Sequence, residues 1–429
     1  MPDIVAGGIY MSAVKIIGKN KLDGSVRIQG CKNSVLPIIA ASVVSGGRSV
    51  IHNCPRLSDV FSSIAILRDL GAKADICGNT LTIDSSGVNS DTVRPELMSA
   101  MRSSVIFLGA LLSRCGAACI SMPGGCDIGA RPIDIHLDAF SRLGVDVDSR
   151  GTSVCCSASN LHGGSVVLPF PSVGATENIM LLSCVGRGVT TIYNAAKEPE
   201  IEDLQNFLNA MGARVFGAGS GVITIYAAKK LYDIEYTVMP DRIEAATFAC
   251  AAAAAGGSVY MNPVVPEHIS PVLNVLEGCG AKVVRYASSL LVVSDGMLNC
   301  APFVATGPYP GFPTDAQSLV MSVMSVSHGS GVIVENIFEN RLRHAYELCK
   351  MGADISVHGR RAVINGGELH GAHASACDLR SGAALAVAAF AADGETRIDK
   401  AEYINRGYDG FTEKFRSIGA NIEGMNDDG

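Results

Sequence analysis

LRDLGAKADICGNTLTID, residues 67–84, carries the reading that decides the fold. The apolar positions before Gly71 suit a helix, and a Gly directly after them suits the left-handed residue that ends one. Beyond it apolar and polar residues alternate, as in a half-buried strand, and after a turn at Gly78-Asn79 they alternate again. The stretch therefore predicts a helix C-terminus followed by a β-hairpin.

The same pattern recurs as SRLGVDVDS at Gly144, LNAMGARVFG at Gly212, LEGCGAKVVR at Gly280, CKMGADISV at Gly352 and RSIGANIEG at Gly419, at spacings of 73, 68, 68, 72 and 67 residues. Each copy opens with a Gly, a short strand and a loop into the helix, as in GGRSVIHNCPRLSDV and GRGVTTIYNAAKEPEIEDL. Four short openings place Asn at the same point: Asn53, Asn194, Asn262 and Asn336. Asn at a strand end is a turn former. One opening is longer and glycine-rich, GAACISMPGGCDIGARPIDIHL. Six α/β repeats of about 70 residues predict two domains of three repeats each. The changeovers are expected near Cys31 and Met239, so that 1–31 with 240–429 form one domain and 32–239 the other. Equivalent loops then share one side of each domain, where sites usually lie.

A chain of 429 residues with 48% apolar and 17% charged side chains can bury two large cores. With no Trp, those cores rest on Ala, Val, Ile and Leu. The formal charge of −7 argues against nucleic acid as a partner, which calls for a basic face. The apolar stretches Ala245–Ala255 and Ala383–Ala392 are Ala-rich and fall short of the ~20 residues a membrane span needs, so they read as buried helices. Residues 1–10 lack the basic start and long apolar run of a secretory leader, so none is expected. The 14 Cys show no zinc-ligand spacing and are expected to be mostly reduced, buried small hydrophobes.

The loops hold the unusual polar residues. In GCKNSVLP, Lys32 and Asn33 precede an apolar run; the lysine is either a solvated helix-start residue or an anion ligand. Arg102 is the lone charge in MRSSVIFLGALL, either snorkelling or facing a bound anion. In PGGCDIGARPIDIH three glycines surround Cys126, which reads as a chemically active thiol rather than a core one. Arg131 and His136 follow, the latter equally suited to a structural role. Elsewhere lie Glu198, Asp241, Asp315, Arg341, Arg380 and Arg406. Lys32, Arg102, Arg131, Arg341, Arg380 and Arg406 all occupy loop or helix-start positions. Together they form the local positive cluster that an acidic chain needs to hold a multiply charged anion.

GCKNSVLPI, PGGCDIGARPIDIH, SVGATENIM, EPEIEDLQNFL, PDRIEAATF, FPTDAQS, ENRLRHAYEL and DLRSGAAL, in this order, resemble the blocks of the UDP-N-acetylglucosamine 1-carboxyvinyltransferases, from about Ile16 to Ile422. The cysteine block separates the chain from the related shikimate-pathway enolpyruvyl transferases, which lack it. The resemblance implies two inside-out α/β domains with threefold internal symmetry and no nucleotide, flavin or metal cofactor. It implies transfer of the enolpyruvyl group of phosphoenolpyruvate to UDP-N-acetylglucosamine in the cytoplasm, by a monomer or weak homo-oligomer, and inactivation by the epoxide fosfomycin. Carried over by position, it gives Lys32, Arg131 and Arg406 to the phosphate and places Arg341 and Arg380 near the carboxylate. Asn33, Arg102, Arg131, Pro132, Ile133, Asp134, Ile135, Ser172, Val173, Gly174, Asp315 and Ile337 would line the sugar-nucleotide site. Cys126 would be the general acid and Asp315 the general base, with Lys32 and Arg406 also in catalytic positions. The chain departs from the usual pattern at Ser34, where Ala is common, and at Asn405, where Asp is commoner.

Overall fold

All six predicted glycines are left-handed: Gly71, Gly144, Gly212, Gly280, Gly352 and Gly419 have φ between 84° and 110°. Each follows or caps an outer helix, for example Ser58–Asp69, Pro199–Ala210 and Ser270–Cys279. A side chain is strained in this conformation, so glycine ends the helix and turns the chain into the hairpin. The computed structural model describes residues 11–121 and 133–426.

These residues form two units, one from Gly30 to Met239, the other from those up to Gln29 together with Pro240 onward. In the first five repeats the opening strand pairs antiparallel with the second hairpin strand; Arg48–His52 with Thr80–Asp84 and Ser330–Val334 with Arg361–Asn365 are examples. Five of the six sheets add a short parallel strand on the other side, as Ser165–Val167 does beside Val189–Tyr193. The asparagines do more than turn the chain. Asn53, Asn194 and Asn336 each donate their amide to the carbonyl just beyond that parallel strand, Val238, Leu168 and Thr306, at 3.0, 2.9 and 2.9 Å.

The sixth repeat departs from the expected self-contained hairpin. Its strand Asn421–Met425 pairs with Ala13–Ile17, which also pairs with the opening strand Glu395–Asp399. The amino-terminal strand thus supplies the missing member of the last repeat.

Ahead of the opening strand of each repeat runs an inner helix that the repeat pattern does not show. Arg242–Ala255, Thr314–Ser325 and Leu379–Ala391 pack on one another in the second unit. Lys32–Ser45, Phe107–Cys115 and Val173–Ser183 do so in the first. Being surrounded by sheets and outer helices, they are apolar all round rather than on one stripe. The Ala-rich stretches are two of them, and small side chains let the three helices approach closely. Among the described residues no helix is long and apolar enough to cross a membrane.

The cysteines depart from expectation at one place. Cys119 and Cys155 face each other across Ala117–Ser121 and Ser153–Ser157 with Cα atoms 4.0 Å apart, and they form a disulfide. Register, not sequence spacing, brings them together.

Candidate active site

The candidate residues gather at the starts of the inner helices. Lys32 and Asn33 are the first two residues of Lys32–Ser45, and Val173 and Gly174 the first two of Val173–Ser183. Asp315 and Arg380 are second in their helices. Ser172 caps its helix by accepting from Ala175 N–H at 3.3 Å, and Asp378 caps Leu379–Ala391 in a reciprocal box with Ser381. Helix N-termini present unpaired N–H groups and a positive dipole end, which favours anions.

In the first unit Lys32 is buried and pairs with Asp59 at 2.8 Å, so it is not a solvated helix-start residue. Arg102 does not sit inside one long helix. It begins a short 3-10 segment, Arg102–Ile106, that leads into Phe107–Cys115. His136, in the helix Asp134–Arg142, is buried and meets the Asn178 amide at 2.9 Å. Asn178 also accepts from Gly109 N–H at 2.8 Å and donates to the Val105 carbonyl at 3.2 Å. A side chain on Gly174 would press on the His136 ring. Ile133, Asp134, Ile135, Ser172, Val173 and Gly174 are thereby held close around His136 and Asn178. Burial pushes the His136 pKa down to about 4; nearby Arg102 lowers it further and Asp134 opposes. Glu177, fully buried on the same helix as Asn178, is pushed well above the usual carboxylate range by burial and then by Glu200 and Glu198.

In the second unit Asp315 receives two buried guanidinium groups. Arg341 Nη2 donates to Oδ1 at 2.8 Å and Arg380 Nη2 to Oδ2 at 3.2 Å. Arg380 Nη1 reaches the Tyr408 hydroxyl at 3.3 Å. Burial alone would disfavour the Arg380 charge, but Asp315 and then Tyr408 outweigh it, so its pKa is raised. The loop holding Ile337 is fixed by Glu335. This buried carboxylate accepts from Ile337 N–H at 2.8 Å and Phe338 N–H at 3.1 Å, and from the Thr306 and Thr314 hydroxyls at 2.9 Å each. Arg406 ends the 3-10 helix Ala401–Arg406, directly before the Gly407–Tyr408 turn. The second unit thus assembles a forked cationic site, preorganised on Asp315, of the kind that grips a carboxylate or phosphate.

Cys126, Arg131 and Pro132 lie outside the described residues. Asn178, Glu335 and Tyr408 were not among the sequence-predicted residues. Each is a buried polar group whose partner lies far away in sequence, and no local pattern announces that.

The family model described as EPSP synthase (3-phosphoshikimate 1-carboxyvinyltransferase) matches residues 16–415. The chain is 45% identical to UDP-N-acetylglucosamine 1-carboxyvinyltransferase 2 of Caldanaerobacter subterraneus subsp. tengcongensis, over 96% of this chain and 99% of that one. It is 44% identical to the protein of the same name from Carboxydothermus hydrogenoformans, over 97% and 100%. Among solved structures it resembles the enolpyruvyl transferase NikO from Streptomyces tendae, with a TM-score of 0.87 and 26% identity over 96% of this chain and 98% of that one. EPSP synthase from Acinetobacter baumannii shares the fold, with a TM-score of 0.74 and 18% identity over 96% and 99%. Repeats, inner helices and full-length similarity agree: the chain belongs to the EPSP synthase family of carboxyvinyl transferases and, within it, to the UDP-N-acetylglucosamine 1-carboxyvinyltransferases.

Proposed function

We propose that the protein transfers the enolpyruvyl group of phosphoenolpyruvate to the 3′-hydroxyl of UDP-N-acetylglucosamine and releases phosphate, the committing step of peptidoglycan synthesis. The observation that carries this reading is the pair of buried guanidinium groups on Asp315, which joins an anion fork to a carboxylate able to take a proton. Arg341 and Arg380 would meet the substrate carboxylate, while Lys32, Arg131 and Arg406 would hold its phosphate. Asn33, Arg102, the Arg131–Ile135 segment, Ser172–Gly174 and Ile337 would line the sugar-nucleotide site. In this reading 32–239 carries most nucleotide contacts, and 1–31 with 240–429 carries the carboxylate side. Phosphorylated, membrane-impermeant substrates fit a place of action in the cytoplasm.

The reaction is addition followed by elimination. Asp315 accepts the proton of the 3′-hydroxyl as its oxygen bonds to C2 of phosphoenolpyruvate, and Cys126 gives a proton to C3. The tetrahedral intermediate then returns a proton from its new methyl group to the Cys126 thiolate as the C2–O bond to phosphate breaks and phosphate leaves. Cationic groups spread over both anionic ends position the reacting atoms and offset charge. A thiol and a carboxylate provide the acid and base.

The test is phosphate release from phosphoenolpyruvate with and without the sugar nucleotide, with the product identified by mass. Release should require both substrates, stop after fosfomycin, and be largely lost in Cys126→Ser while UDP-N-acetylglucosamine still binds. Binding of the nucleotide without any release in the wild type would make the chain a non-catalytic binding protein and overturn the proposal.

A further inference from the structure

Gln29, the last residue of the second unit before the chain enters the first, uses every polar group it has, and is 4% exposed. Its N–H donates to Glu244 Oε2 at 2.7 Å and its carbonyl accepts from Asp241 N–H at 2.9 Å. Its side-chain amide spans about 380 residues of sequence. Nε2 donates to the Gly407 carbonyl at 2.9 Å, and Oε1 accepts from Asp409 N–H at 2.7 Å. The amide therefore brackets Tyr408 from both sides.

Tyr408 is 2% exposed. Its hydroxyl lies between Thr247 Oγ1 at 2.8 Å and Arg380 Nη1 at 3.3 Å. Its ring lies edge-on to Phe411, with centroids 5.4 Å apart, and the Arg380 guanidinium sits 5.6 Å from its own centroid. A side chain on Gly407 would collide with Leu379, so this turn is pressed against the start of the helix that bears Arg380. Among the described residues Arg380 Nε has no hydrogen-bond partner. Among the described residues the guanidinium is held by two side-chain hydrogen bonds, Nη2 to Asp315 and Nη1 to Tyr408.

We infer that Gln29 and Tyr408 are positioning residues: through the 407–409 turn, which directly follows Arg406, they aim Arg380 for an anionic substrate. This rests on the reading above that both arginines receive phosphoenolpyruvate. A planar guanidinium held at one end instead of two rotates freely, and its fork no longer matches a carboxylate. Neither residue is asked to touch substrate.

Tyr408→Phe keeps the ring and removes only the hydroxyl, while Gln29→Ala removes the bracket. Steady-state kinetics should show the phosphoenolpyruvate KM raised about tenfold in each, the scale of a lost hydrogen bond to a charged group. The KM for UDP-N-acetylglucosamine should stay within about twofold, because the positioned groups serve the other substrate. Thr247→Val, which frees the hydroxyl but leaves it able to reach Arg380, should shift the phosphoenolpyruvate KM less than Tyr408→Phe. Thermal melts of each protein distinguish a general loss of packing. An unchanged phosphoenolpyruvate KM in Tyr408→Phe, or both KM values rising together with a lowered melting temperature, overturns the inference. Calorimetric binding of phosphoenolpyruvate to wild type and Tyr408→Phe separates the two levels. Weaker binding in the variant without phosphate release by either protein would overturn the reaction while supporting the positioning role. Equal binding defeats the positioning role itself.

Discussion

Asp315→Asn keeps shape and volume but removes the one charge shared by two buried arginines, whose side chains are 4% and 3% exposed. Each ion pair at an effective dielectric of 20 has an attraction of roughly 4 kcal/mol. Repulsion between the two guanidinium groups and water at the partly exposed carboxylate reduce the sum. A net loss of about 3 kcal/mol follows, at the low end for breaking a buried pair. For a unit of this size that is a fall in melting temperature of roughly 6–12 °C. The same change leaves two desolvated cations without the carboxylate they share, so the variant should hold an inorganic anion better than the wild type does. Phosphate at a hundred times its dissociation constant contributes about 2.7 kcal/mol, enough to return most of the lost stability. The assay is differential scanning calorimetry of both proteins in chloride and in phosphate at equal ionic strength. Turnover should be nearly absent in the variant. A melting temperature within about 2 °C of wild type in chloride, or an equal phosphate gain in both proteins, would refute the idea that Asp315 holds the fork closed.

Acid should weaken the protein through its buried histidines. Burial lowers His136 and His344 to about 4, so the stability each contributes is present above the unfolded pKa of 6.5 and lost as pH falls towards 4. At pH 5 that is about 2 kcal/mol for each, and denaturant unfolding of His136→Asn should show a flatter decline from pH 7 to pH 5 than wild type; parallel curves would count against it. Glu244 acts with the opposite sign. Burial raises it to about 7 against Lys414, so its contribution is complete below pH 4.5 and fades as pH rises through 7. Glu244→Gln should accordingly gain about 2 kcal/mol on wild type between pH 5 and pH 8, and a constant difference would be evidence against this. Protein purified without reductant and unfolded should titrate two fewer thiols than the 14 cysteines of the chain, and all 14 after reduction. Fourteen in both would exclude the Cys119–Cys155 bond.

What could be read from the sequence was what repeats or what is local. The left-handed glycines were legible because a helix end needs a residue without a Cβ and the pattern returned six times. Arg341, Arg380 and Asp315 stood out as charges at loop and helix-start positions, and the structure joins them. Ser34, noted as a departure, donates its hydroxyl to the buried Asp203. The inner helices escaped the repeat pattern because burial on all sides removes the amphipathic period by which a helix is recognised. Gln29, Asn178, Glu335 and Tyr408 escaped because their roles depend on partners 21 to 380 residues away, or on backbone groups that carry no side-chain signal.

The pairing of Ala13–Ile17 with Glu395–Asp399 and Asn421–Met425 also has a consequence for the order of events during synthesis. Everything the first unit needs lies in one continuous stretch, and domains emerging from the ribosome fold as they become available. The second unit cannot close its last sheet until Asn421–Met425 has been made, by which time Ala13–Ile17 has waited through about 400 residues of synthesis. An exposed strand edge of that kind is a target for pairing with other chains. The inserted unit is therefore positioned to mature first, and the vulnerable interval belongs to the older, amino-terminal strand.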